Sequence, residues 1–185
     1  MTFGIQHLSN INIALGVLTG MLSLIVFTLP NQLRTTLSTF PRNKFAGLIL
    51  TAIGLLWAAF LVDQMTLGDL SRFKWILYII TPISFYLIIQ YLDELLAARA
   101  FAGIIMLVPT IMVDAARWHP SAWRYVTLVF AYILVVIGIW LILCPYKFRI
   151  WSSWWMDSES RRNVGGFIAA AVTVSFFIAA VMTRI

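Results

Sequence analysis

The sequence predicts an all-α fold, a polytopic transmembrane bundle of six helices, and three observations predict it. Residues 8–33, 45–62, 75–92, 125–146 and 163–183 carry no charge, and a shorter uncharged run covers 100–113. Each long run is about the length a helix needs, at roughly 1.5 Å per residue, to cross roughly 30 Å of hydrocarbon. The 185 residues are 62% hydrophobic and 11% charged, where a soluble domain has about 25% charged residues. A chain this poor in charge cannot cover its own surface in water, so lipid is its main solvent. The longest stretch between the expected spans, residues 145–163, is too short for a soluble domain.

The expected spans are 10–29, 45–62, 75–92, 100–116, 125–144 and 164–183 in a single transmembrane domain. The first is a retained span rather than a signal peptide. Residues 1–7 hold no Lys or Arg, and the apolar stretch is too long for a signal sequence. Ser9 and Asn10 are its candidate N-cap residues. The fourth is short, with fourteen residues between Arg99 and Asp114 and Pro109 among them. Arg99 can snorkel to the interface and neighbouring helices can satisfy the carbonyl that Pro109 frees, so a full but kinked crossing is expected over a re-entrant segment.

The net charge is +6. The basic residues sit in short loops, which points to membrane orientation and lipid headgroups and not to nucleic acid. Connections one, three and five hold Arg34, Arg42, Lys44, Arg99, Lys147, Arg149, Arg161 and Arg162, the candidate headgroup contacts. The opposite side holds Arg72, Lys74, Arg117, Arg124 and Arg184. The positive-inside rule then puts the odd connections in the cytoplasm and both termini outside. The tryptophans fall mostly near span ends, as an aromatic belt does.

The first and last hairpins repeat each other. One reads Leu29-Pro30-Asn31-Gln32-Leu33-Arg34, then Pro41-Arg42-Asn43-Lys44-Phe45-Ala46-Gly47. The other reads Cys144-Pro145-Tyr146-Lys147-Phe148-Arg149, then Arg161-Arg162-Asn163-Val164-Gly165-Gly166. The middle hairpin keeps the second half alone, Leu95 to Gly103. In each unit Pro is expected to stop the outgoing helix, a cation to anchor the loop, and small residues to let the returning helix pack closely. The stretch 131–182 resembles small two-helix bacterial inner-membrane proteins of unknown function, through Leu143, Pro145, Phe148, Arg149, Arg161, Arg162, Gly165 and Gly166. The resemblance covers under a third of the chain. It implies a bacterial inner membrane and brings no activity with it.

Candidate chemistry is sparse. Neither His7 nor His119 lies inside a span, where a haem or chlorophyll ligand is expected, and neither has a Cys or acidic cluster beside it. Cys144 is a lone cysteine, which excludes an internal disulfide. Asp63 and Asp114 stand near span ends on the outer side and could pass a proton or cation if the bundle joins them. Asp93 and Glu94 with Arg99 read as a loop ion pair or headgroup contact. Trp151, Trp154 and Trp155 share one helical face, which suits a short interfacial helix and a candidate docking surface. Trp118 and Trp123 flank an outer turn as a second contact surface. No hydrolase, metalloprotease, phosphate-loop or Cys-x-x-Cys motif occurs. The expected function is a non-catalytic integral membrane subunit, without cofactor or metal, that packs against other membrane subunits to stabilise or assemble a complex. The alternative is a small proton or cation transporter using Asp63 and Asp114.

Overall fold

The computed structural model describes residues 7–65, 74–91 and 95–184. Among the described residues eight α-helices follow in order: α1 His7–Thr28, α2 Pro30–Thr39, α3 Lys44–Gln64, α4 Lys74–Tyr91, α5 Leu96–Arg117, α6 Arg124–Leu143, α7 Pro145–Met156 and α8 Glu159–Met182. All but α2 and α7 are long and apolar enough to cross a membrane, so the chain is a multi-pass integral membrane protein of all-α class.

The fourth crossing helix, α5, is not short. It spans 22 residues and continues beyond both Arg99 and Asp114, with Pro109 buried inside it. Charged residues near helix ends reach water by snorkelling, so an uncharged run marks a minimum length for a span. The N-cap expected at Ser9 and Asn10 is also displaced, because α1 is already helical at His7. Ser9 instead faces α8, where its hydroxyl donates to the Ala180 carbonyl at 2.9 Å.

The repeat appears as structure in the first and last hairpins. Pro30 and Pro145 do not merely stop the preceding helix. One non-helical residue, Leu29 (φ −128°, ψ 49°) or Cys144 (φ −129°, ψ 63°), turns the chain, and the proline then opens a new short helix. Pro suits that first position because its missing N–H has no intrahelical partner there and its φ is already helical. The two short helices, α2 and α7, pack against each other at one end of the bundle. Arg34 and Asp157 pair across them at 2.6 Å. Both side chains are about half exposed, so the pair adds little stability, about 0–1 kcal/mol. Between Tyr91 and Leu96 the sequence leaves four residues, against the 10 of α2 and the 12 of α7.

Two seams hold the bundle. In the first, α1 and α8 run antiparallel with small residues in contact. A Cβ on Gly16 would touch the Phe177 ring at 3.2 Å, and one on Gly20 would touch the Thr173 methyl at 3.3 Å. Thr173 donates to the Thr19 hydroxyl at 3.0 Å and Ser23 to the Gly166 carbonyl at 3.0 Å. Lipid gives apolar helices little reason to associate, so close backbones and interhelical hydrogen bonds supply the attraction. The second seam centres on α5, which touches α1, α3, α6 and α7. Leu15, Met112, Ala131 and Phe176 meet in a core drawn from α1, α5, α6 and α8. Nearer the α2–α7 end, Phe40, Phe101 and Phe148 form a ring triangle with centroids 5.8–6.4 Å apart. The cluster thus joins the 3-10 turn after α2, Phe40–Arg42, to α5 and α7.

Candidate functional site

Asp63 lies in the last turn of α3 and Asp114 in the last turn of α5. A Cβ on Gly47 would meet Ala97, and one on Gly54 would meet Ile104, so α3 and α5 run parallel in steady register. Continued along both helices, that register sets Asp63 level with Asp114, near the helix ends and away from mid-membrane. No hydrogen bond or ion pair joins the two carboxylates among the described residues. The backbone carbonyl of Asp63 accepts from the Lys74 ammonium, which ties the start of α4 to the end of α3.

The turn between α5 and α6 is built around His119, which is 4% exposed. Its Nδ1 accepts the Ser121 N–H at 3.2 Å, so Nε2 carries the ring hydrogen. Arg124 clamps the turn by donating to the His119 carbonyl at 2.8 Å. His119 is thus a packed turn residue, with Nε2 buried and without a hydrogen-bond partner among the described residues. Trp118 and Trp123 both point outward from this turn. The side chain of His7 lies outside the described residues. A second buried polar contact joins α1 to α6, where Thr127 donates to Asn12 Oδ1 at 2.7 Å. Asn12 is fully buried, and a lone Asn in an apolar run gives no periodic signal in the sequence.

At the opposite end the three tryptophans of α7 do not form one outward face. Trp155 turns inward, where its indole occupies the space a Gly165 side chain would need. Trp151 and Trp154 remain exposed. Trp151 packs edge-on to both Trp155 and Trp140, and Arg161 stacks over Trp154 at 4.4 Å. The candidate headgroup residues also divide. Arg34 pairs with Asp157, Arg162 lies 3.8 Å from Glu159, and Lys147 sits over the Trp140 ring. Arg149 lines a groove of about 260 Å³ between α2 and α7 with Arg34, Ser38 and Ser153. Lys44 begins α3 at the same end. The guanidinium of Arg99 makes no hydrogen bond or ion pair with any described residue. The side chain of Arg42 and residues 92–94, including Asp93 and Glu94, lie outside the described residues.

The surface that sequence reasoning missed is α4. It touches α3 and buries none of its residues. Tyr78 and Tyr86 are 70% and 66% exposed, and Pro82 between them also faces outward. Pro82 sits at the middle of the helix and removes the hydrogen bond to the Tyr78 carbonyl one turn earlier. In α5 the equivalent disruption at Pro109 is buried within the bundle. In α4 it lies on the outer surface at membrane depth. The signal was present in the sequence as two tyrosines at helical spacing from a central proline.

No known protein family, curated protein or solved structure matches the chain.

Proposed function

We propose that this protein is a non-catalytic integral membrane subunit that docks through α4 against a transmembrane helix of a larger complex. The observation that carries the reading is the exposed proline in the middle of α4, whose ring removes one helix hydrogen bond. A backbone carbonyl without a partner in hydrocarbon costs several kcal/mol by order of magnitude. A neighbouring helix offering a hydroxyl, amide or indole donor at that depth removes the cost, and Tyr78 and Tyr86 provide large rigid contacts on either side of it. The small-residue faces of α1 and α8 do not serve this role, because they are spent on each other within the chain. The transport reading gains the common level of Asp63 and Asp114 but no contact between them.

Purification in mild detergent tests the docking. The wild-type chain is expected to bring stoichiometric membrane partners with it, and Tyr78→Ala with Tyr86→Ala to lose them while the thermal midpoint of the chain itself is unchanged. Recovery of the wild type as a lone monomer, or of the double variant with the same partners, overturns the reading.

The placement proposed for it is a bacterial inner membrane with α2 and α7 on the cytoplasmic side and both termini outside. The unequal split of basic residues supports this orientation. With Cys144 replaced by Ser, a membrane-impermeant maleimide added to spheroplasts is expected to label Trp118→Cys and to spare Trp151→Cys. The opposite pattern inverts the orientation.

A further inference from the structure

Between α3, α4, α5 and α6 lies a cavity of about 400 Å³. Its walls are almost wholly apolar, with Gly54 and Leu55 from α3, Ile88 from α4, Leu107 from α5 and Ile142 from α6. The one hydroxyl there, on Thr51, is spent on its own helix through a 2.8 Å bond to the Gly47 carbonyl. Arg99 lines one end, in the first turn of α5. Gly103 stands one turn further along, and a Cβ added to it would meet nothing within 4 Å. From Leu96 to Leu107 the slot follows α5 for about 16 Å at roughly 1.5 Å per residue. That is close to half of the roughly 30 Å hydrocarbon thickness.

We infer that this slot binds one acyl chain of an anionic membrane phospholipid, with the lipid phosphate held by Arg99. Three features select that ligand. An apolar space of this size stays dry and is filled favourably by hydrocarbon. Its length reaches from the helix end toward the bilayer centre, as an acyl chain does. The guanidinium at its mouth is a planar, permanently charged donor suited to two phosphate oxygens, and no described residue neutralises it. An uncharged amphiphile leaves Arg99 without a partner among the described residues, and a free phosphate leaves the slot empty. Because α4 closes one side and is otherwise held loosely, the bound chain also cements α4 to α3 and α5. The lipid site and the outward face of α4 are separate surfaces, so neither proposal depends on the other.

The test uses the full chain in dodecyl maltoside micelles, with dioleoyl phosphatidylglycerol, dioleoyl phosphatidylcholine or inorganic phosphate added. Thermal midpoint and the lipid retained in native mass spectrometry are both read. Phosphatidylglycerol is expected to raise the midpoint by several degrees and to remain bound as one molecule, phosphatidylcholine to do so more weakly, and phosphate alone to have no effect. Gly103→Leu fills the open space, and its midpoint is expected to stop responding to lipid without falling in lipid-free micelles. Arg99→Gln should respond equally to the two lipids. Equal responses of the wild type to both lipids, an undiminished response in Gly103→Leu, or a phosphate effect matching that of phosphatidylglycerol overturns the inference. If Gly103→Leu does not fold, the Arg99→Gln comparison decides, and a retained preference for phosphatidylglycerol then overturns it.

Discussion

Phe176→Ala is expected to lower stability by about 3 kcal/mol, the low end of the range for a buried Phe→Ala change. Phe176 is fully buried where four helices meet, and its ring packs edge-on to Phe130 with centroids 5.0 Å apart. In a soluble protein the loss has two parts, transfer of the ring out of water and the cavity left behind. Lipid solvates an apolar ring about as well as a core does, so the transfer part is small here. The cavity and the lost dispersion contacts remain, because Met112, Leu15 and Ala131 come from three different helices that cannot all collapse inward. For a chain of this size about 3 kcal/mol corresponds to a fall in thermal midpoint of roughly 6–12 °C. A change under about 2 °C by thermal unfolding in detergent would show that the four helices do not meet at this ring.

Gly47→Leu is expected to open the seam between α3 and α5. Most glycines in the bundle face the tips of side chains, which can move aside. Gly47 faces backbone, and a Cβ there would lie 2.9 Å from the Ala97 nitrogen and 3.1 Å from Leu96 Cγ. Neither can yield without moving α5, which is buried at Leu96, Ala97 and Ala98. Overpacking of this kind costs about 1–3 kcal/mol, and a backbone obstacle puts it at the upper end. Gly47→Leu should therefore lower the thermal midpoint by roughly 6 °C or more. Gly103→Leu, on the facing helix but over open space, supplies the comparison. Equal behaviour of the two variants would contradict the register in which α3 and α5 pack.

The six crossing helices were legible because charge is excluded from hydrocarbon, and uncharged runs record that exclusion directly. Their ends were less legible, as Arg99 and Asp114 show, since a charged residue one turn inside a helix can still reach the interface. The short helix α7 was visible in its spaced tryptophans. Its counterpart α2 was not, because Thr35, Thr36, Ser38 and Thr39 are weak helix formers. In the structure Thr35, Ser38 and Thr39 turn their hydroxyls back onto carbonyls of their own helix. The candidate docking residues were located but not aimed. Spacing put Trp151, Trp154 and Trp155 on one side of α7, and only the position of Gly165 reveals that Trp155 faces the bundle. The exposure of α4 depends on which helices pack together, and apolar periodicity carries no such information when lipid and protein are equally apolar.

The union of α1 with α8 has a consequence for biogenesis. Ser9, Thr19 and Ser23 bond across to α8 or pack against it, yet Glu159 and the rest of that helix leave the ribosome only after every other span. At about 5–20 residues per second the first helix waits on the order of ten seconds for its mate. During that interval its serines and threonines face the bilayer or an insertion factor. Of the six crossing helices α1 is therefore the one that waits longest for its partner, and the seam between them can close only once α8 has been made.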